Sequence, residues 1–454
     1  MMKSIGAVRF RWIGLLIGLG LLPSCARHSG ANAYNFILIS VDTLRADHLS
    51  CYGYGRKTSL HIDRLAAESI LFENAISQSA WTLPAHVSMM TGLYAGEHGL
   101  LFYDISGEKD KQSYRTMNDS LPTLAGILKT HGYRTASFNA GGWVDPIFGL
   151  NKGFDTYERG GRYFRANVSK SINWIREHKK DRFFLFLHAY DVHHPYDAAP
   201  KFNVFHGYSG PQDKKKLIAR HEVIQDIASD EYKFILAQYD ACILRADSAL
   251  GKLFEFLQYE GLENRTVIIL TSDHGEMLLE HHGLWGHIYP LYEEILHVPL
   301  IVKIPGRRGT SVRAQVPASV SILPTVLDIA GIDDPNARSE YNLMRLFREK
   351  DFGFDRILSE TGRKTGRRLC RSIRTETWKL VVHTSGDHRE PRRELFHLET
   401  DPFEQRDRVP DNPSRVRTLL DLLENFRPIS RGKNPGKFLD EKTLEIMKSL
   451  GYIN

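Results

Sequence analysis

The chain has 454 residues and a mass of 51.9 kDa, the size of one large α/β domain with an appendage or of two to three ordinary domains. Apolar residues make up 42% and charged residues 25%, which excludes wholesale disorder and collagen-like or low-complexity architecture. Four cysteines (Cys25, Cys51, Cys242 and Cys370), none in a CxxC pair, argue against a disulfide scaffold and against a thiolate zinc or iron–sulfur site. The net charge is +6. Lys3, Arg9 and Arg11 supply part of it from the extreme N-terminus, and the rest of the chain is nearly balanced. Electrostatics therefore gives no reason to expect a nucleic-acid partner.

Residues 1–11 are basic and contain no acid, and 12–22 are uninterruptedly apolar. A helix of that length rises only about 16 Å, too short for a hydrocarbon core of about 30 Å, so the pattern reads as an export signal. The run ends in Leu22-Pro23-Ser24-Cys25, which resembles a bacterial lipobox. The expectation is a signal peptide over 1–24, lipidation at Cys25 and a polar linker over 25–34. That implies a lipoprotein exported to the bacterial cell envelope. No later run approaches 18 apolar residues, so the lipid would be its only membrane attachment.

Continuous apolar runs at 36–41 (FILISV), 183–188 (FFLFLH), 265–270 (RTVIIL) and 299–304 predict buried strands, and 134–139, leading into Gly141-Gly142, predicts another. Helical spacing predicts helices over 60–69, 120–131, 234–258 and 321–331. Pro84 is predicted to open a helix that Gly92 closes. Apolar strands alternating with helices predict a large, mostly parallel sheet sandwiched by helices. From about 355 the texture changes, with short strands at 369–375, 377–383 and 394–398 and a helix at 413–426. The predicted division is a catalytic domain over 35–350 and a smaller α+β subdomain over 351–454 containing an antiparallel sheet.

Polar residues punctuate the ends of the apolar strands. Asp42 ends FILISV, Asp191 and His193-His194 follow FFLFLH, and Asp273-His274 follow VIIL. One Asp at a strand end is an ordinary turn or cap residue. Three strand ends aiming carboxylates and imidazoles at the crevice of an open sheet suit a divalent cation: Ca²⁺, Mg²⁺, Mn²⁺ or Zn²⁺. Thr82 stands at a helix start, where unpaired N–H groups favour an anion. Its hydroxyl is either an N-cap or a nucleophile activated by the metal. Asp191, His193, His194, His281, His282 and His287 are candidates for a second ion, but a single ion is expected. The basic stretch Arg363, Lys364, Arg367, Arg368, Arg371 and Arg374 either leans over the site or is a solvated face.

Six ordered segments carry a resemblance: NFILISVDTLRADHLSCYGY, TLPAHVSMMTGLYAGEHG, AYDVHHPYD, YDACILRADSALG, TSDHGEMLLEHHGLWGH with LYEEILHVPLIVKIPG, and RTETWKLV with ELFHLETDPFEQ. The chain resembles the sulfatase family of the alkaline phosphatase superfamily from about residue 35 onward. The resemblance implies that Asp42, Asp273 and His274, with Thr82, hold the metal and that Thr82 stands at the nucleophile position. It implies that His193 contacts the ester or protonates the leaving group. His287 takes the place where many sulfatases have a Lys touching the sulfate, and His86 the place of the Arg in their maturation signal. Thr82, His86, His193 and His287 form the expected catalytic set.

Thr82 departs from the Cys or Ser that sulfatases oxidise to formylglycine, so formylglycine is not expected. Thr43 also replaces the second Asp of the usual Asp-Asp pair. A formylglycine hydrate expels its sulfate from its own carbon, whereas an acid group on threonine must be cleaved by water at sulfur or phosphorus. This shades the expected substrate toward phosphate mono- or diesters. The expected partner is a small anionic ester: a sulfated or phosphorylated glycan, lipid or aryl compound. The alternatives are a phosphoryl-group transferase acting on lipid or glycan, or a non-catalytic homologue that binds an anionic ligand.

Overall fold

The computed structural model describes residues 34–103, 113–205, 229–281, 283–287, 289–363, 368–386, 390–426 and 434–452. The segment expected to be an export signal, Cys25 and the linker before Tyr34 lie outside the described residues, as does most of the polar segment 205–233. Among the described residues no helix is long and apolar enough to cross a membrane.

Eight strands form the main sheet: β1 (Asn35–Val41), β2 (Ile70–Ile76), β3 (Arg134–Asn139), β4 (Thr156–Arg159), β5 (Phe183–Ala189), β6 (Thr266–Thr271), β7 (His297–Lys303) and β8 (Thr310–Pro317). Their order is β8-β2-β7-β6-β1-β5-β3-β4. Every pairing is parallel except the two made by β7, which runs antiparallel to β2 and β6. The expected mostly parallel sheet is therefore present.

Strand β1 lies inside the sheet, and all seven of its residues are buried. Helices α1 (Leu60–Ala67) and α2 (Thr82–Thr91) cover its opposite faces. Ile37, Ile39 and Val41 share a core with Ile62 and Leu65 of α1. Phe36 and Leu38 share the other with Val87 and Met90 of α2. Helices α3 (Leu124–Thr130), α4 (Phe164–His178), α5 (Ser229–Tyr259) and α6 (Ala318–Ala330) complete the two layers. Leu124, Ile322 and Leu323 lie on the α2 face, and Val168, Ile235 and Leu250 on the α1 face. Burial on both faces is why the sequence reads as continuous apolar runs rather than alternation. Each fully buried Leu, Ile or Phe contributes about 1.5–3 kcal/mol.

Helix α2 begins two residues before Pro84. The proline sits in the first turn, where a missing N–H costs no helical bond. Gly92 closes the helix with φ +69°.

The second sheet is antiparallel, with strands β9 (Ile357–Arg363), β10 (Arg368–Arg374), β11 (Trp378–Thr384) and β12 (Arg392–His397). The two-residue strand Phe102–Tyr103 adds parallel to β9. Helix α7 (Pro413–Asn425) packs Val416 and Leu419 against Ile373 and Leu380. A last helix, α8 (Glu441–Ser449), returns to the main sheet, where Met447 is fully buried in the core on the α2 face.

Candidate active site

The parallel register of β1 with β5 and β6 aligns Ser40 with His188 on one side and with Thr271 on the other. The chain segments that leave these three strands therefore emerge at one edge of the sheet, where ligands of open α/β sheets bind. Asp42, His188, Asp273 and His274 sit there, all 0% exposed. Thr82, the first residue of α2, is equally buried. The N-cap is Trp81, and no side chain caps the helix, which removes the capping role for Thr82. Its hydroxyl instead donates to Asp42 Oδ2 at 3.3 Å and lies 3.5 Å from His274 Nε2.

One ligand atom from each of Asp42, Asp273 and His274 lies within 4.8 Å of the others, the one such cluster of three found among the described residues. The donor set fits a divalent cation on three counts. Asp42 Oδ1 and Asp273 Oδ2 are buried oxygens with no hydrogen-bond partner, a costly state for carboxylates. His274 donates its Nδ1–H to the Gly275 carbonyl at 2.9 Å, which leaves Nε2 as a lone pair, and burial pushes this ring down to about 4, so it is neutral. That lone pair faces Asp273 Oδ2 at 3.3 Å, two acceptors with no proton between them. Burial, and then the facing Asp273 carboxylate, drive Asp42 well above the usual carboxylate range. Among the described residues no Lys or Arg pairs with either acid; against the penalty of burial, His274, His86 and His188 hold Asp273 down to about 2, so Asp42 is the acid whose charge is left unsupported. A cation between them removes every one of these penalties.

Two imidazoles support the cluster from behind. His188 Nε2 lies 3.3 Å from Asp42 Oδ2. His86 donates Nδ1–H to the Thr82 carbonyl at 2.8 Å and accepts at Nε2 from the Ser40 hydroxyl at 2.9 Å. Both its nitrogens are thus engaged, and the ring stands edge-on to Phe186 and His188. Burial lowers the pKa of each of the two rings.

His193 and His287 form the opposite wall, with ring centroids 5.2 Å apart. The His287 ring is 4.5 Å from that of His274, and its Nδ1 faces Glu276 Oε1 at 3.2 Å. The Tyr452 hydroxyl lies 2.9 Å from His193 Nε2 and 3.0 Å from His287 Nε2.

Other candidates lie elsewhere. Asp191 accepts from the Phe164 N–H at 2.6 Å and pairs with Arg245 at 3.0 Å, so it anchors the loop that carries His193. His281 pairs with Glu294 and stacks on Tyr292, and His282 is outside the described residues. Arg371 pairs with Glu360, and Arg374 with Glu293, so both have carboxylate partners of their own; Lys364 and Arg367 lie outside the described residues. His188, Glu276 and Tyr452 were absent from the expected set. His188 sits within an apolar run and Glu276 three residues after Asp273, so both carry a sequence signal. Tyr452 carries none, because only tertiary packing brings it here.

Comparison with known proteins matches the sulfatase family model to residues 34–332 and a model for the C-terminal part of N-sulphoglucosamine sulphohydrolase to residues 280–427. Arylsulfatase K of Mus musculus is 25% identical over 401 residues, covering 76% of this chain and 70% of that protein. The phosphonate monoester hydrolase of Agrobacterium radiobacter superposes with a TM-score of 0.70 at 20% identity, over 87% of this chain and 95% of that one. A protein solved in complex with its substrate D-glucosamine-2-N,6-O-disulfate gives 0.69 at 19% identity, over 86% and 97%. The family match spans well over half of the sequence and contains the whole Asp42–Thr82–Asp273–His274 constellation. The chain belongs to the sulfatase family and is an ester hydrolase.

Proposed function

We propose that this hydrolase uses Thr82, at the position sulfatases give to formylglycine, as the nucleophile that takes the acid group from a phosphate or sulfate ester, with phosphate esters preferred. The observation that carries this is the position of the Thr82 hydroxyl, 3.3 Å from Asp42 Oδ2 and 3.5 Å from His274 Nε2 at the start of α2. Asp42, Asp273 and His274 would hold one divalent cation, which supplies the positive charge that lowers the proton affinity of the hydroxyl and balances the acid group.

The chain's own groups do the rest. Asp42 Oδ2 receives the Thr82 proton. The Thr82 oxygen bonds to phosphorus or sulfur while the bond to the leaving oxygen breaks. His193 and His287 line the side from which that oxygen can be protonated. His86 fixes the first turn of α2 through the Thr82 carbonyl, which makes it a positioning residue. The Thr82 carbon carries no second hydroxyl to expel the acid group, so water must attack phosphorus or sulfur itself. That requirement favours phosphate mono- and diesters. The neighbour solved with a sulfated glucosamine supports a sugar as the alcohol part. An exported lipoprotein anchored at Cys25 would meet such esters outside the cytoplasm.

The test is a turnover screen with aryl sulfate, phosphate monoester, phosphate diester and phosphonate ester, with Thr82→Ala and Thr82→Ser beside the native protein. Thr82→Ala is expected to lose at least about a thousandfold in kcat/KM, with Thr82→Ser intermediate. Equal rates in the native protein and Thr82→Ala eliminate Thr82 as nucleophile. Fastest turnover on the sulfate overturns the phosphate preference.

A further inference from the structure

The Gly141-Gly142 pair that follows β3 has no part in the chemistry above, yet its surroundings explain it. Both residues have left-handed φ, +71° and +64°. A Cβ on Gly141 would meet Ile446 Cδ1 at 2.9 Å, and one on Gly142 would meet the Tyr190 hydroxyl at 2.7 Å and Leu450 Cδ1 at 3.2 Å. The glycines therefore supply left-handed backbone that side chains rarely adopt, and leave room beside it for Ile446 and Leu450.

The packing of α8 is secured elsewhere along the helix. Asp440 caps the helix by accepting from the Thr443 N–H at 2.7 Å and faces Arg159 at 3.3 Å. Met447 and Leu450 are at most 1% exposed. Arg162 donates to the Ser449 carbonyl and to the His194 carbonyl, both at 3.2 Å, so it ties the end of α8 to the loop of His193. The chain then turns at Gly451, φ +77°, and delivers Tyr452. Its ring stands edge-on to Trp143 at 5.7 Å. Its hydroxyl reaches His193 and His287 and lies near the Thr82 side chain.

We propose that Tyr452 is a substrate-binding residue: its hydroxyl, placed between His193 and His287 beside Thr82, turns its one proton from an imidazole Nε2 to an oxygen of the acid group being transferred. This rests on the active-site reading above. Tyrosine is suited to the task because it offers a neutral donor to an anion on a rigid, well-packed ring. The alternative, a plug that leaves when substrate arrives, sits poorly with a helix whose anchoring residues belong to the core. Tyr452 remains in the wall, and the acid group binds against it.

The experiment titrates inorganic phosphate, and separately inorganic sulfate, into protein loaded with a divalent metal and follows binding by calorimetry. Native protein, Tyr452→Phe and Thr82→Ala are compared, with metal affinity and thermal midpoint as controls. Tyr452→Phe keeps the ring and its packing, so metal affinity should hold and the midpoint fall only by the hydrogen bond lost to the imidazoles, while anion affinity falls about tenfold to a hundredfold, the scale of one hydrogen bond to a charged group. Leu450→Ala, which loosens the helix end without removing the hydroxyl, should weaken the anion less. Anion affinity unchanged or tighter in Tyr452→Phe overturns the proposal, as does native protein that binds neither anion. Ester turnover that survives in Thr82→Ala would end the nucleophile assignment alone, because the anion titration decides the role of Tyr452 independently of turnover.

Discussion

Two groups of buried acids in this molecule meet opposite fates. Glu293 and Glu404 lie where the second sheet meets the main body, and both reach the same lysine: Lys379 Nζ is 2.9 Å from each, and Arg374 adds a further contact to Glu293 at 3.2 Å. Burial works against the Glu293 charge, but Arg374 and Lys379 hold it far below the usual carboxylate range, whereas burial pushes Glu404 up to about 7 although Lys379 opposes it. Asp42 and Asp273 are buried more deeply, 0% exposed against 12% for the Glu293 side chain, yet among the described residues no Lys or Arg forms an ion pair with either; their neighbours are His86, His188 and His274. The first group carries its own counter-charge and is finished by folding. The second has no such counter-charge among the described residues, which suits it to a cation taken from solution. Retaining buried acids in an incomplete cluster costs stability, so the difference marks one group as scaffold and the other as working site.

Breaking the two groups should therefore have opposite consequences. The largest effect is expected from Asp273→Asn, which removes a metal-binding charge. Ester turnover should fall at least about a thousandfold, a transition-state loss of about 4 kcal/mol or more. The thermal midpoint measured in chelator should stay level or rise, because the mutual repulsion with Asp42 is relieved. Lys379→Met should do the reverse. It strands Glu404 and leaves Glu293 to Arg374 alone, at a cost of about 3 kcal/mol read from the urea midpoint, while turnover per folded molecule stays native. If both substitutions destabilise the chelated protein alike, the contrast between the groups is wrong.

Sequence patterning revealed the layer architecture because strands buried on both faces cannot hide: β1, β5 and β6 are runs of apolar residues bounded by polar ones. It missed β2, whose ILFENAI is only partly covered, and the edge strands β4 and β8, whose residues are largely accessible. Pairing is decided by contacts distant in the chain, so the antiparallel direction of β7 was beyond reach. Within the site, Asp42, Asp273 and His274 were legible because each terminates a readable strand. His193, which follows β5, and His287 were legible as candidate ligands, but their part in catalysis only through resemblance. Tyr452 was invisible, since its place depends on α8 docking against Gly141 and Gly142. The glycine pair did stand out in the sequence, but nothing there said what it makes room for.

The smallest expected effect gives the sharpest version of the comparison, because it separates metal binding from both catalysis and folding. A ligand that binds only the folded state stabilises it by RT ln(1 + [L]/Kd), about 2.7 kcal/mol at a hundredfold excess over Kd. Adding Ca²⁺, Mg²⁺, Mn²⁺ or Zn²⁺ singly to chelator-treated protein should therefore raise the urea midpoint by an increment on that order for whichever ion fits. Lys379→Met should show the same increment from its lower baseline, since its defect lies in the self-neutralised group and leaves Asp42, Asp273 and His274 intact. Asp273→Asn should show little or none. The two variants thus shift baseline and increment independently, as two uncoupled sites must. An increment in Asp273→Asn equal to that of the native protein would place the stabilising ion elsewhere and deprive the incomplete cluster of its explanation.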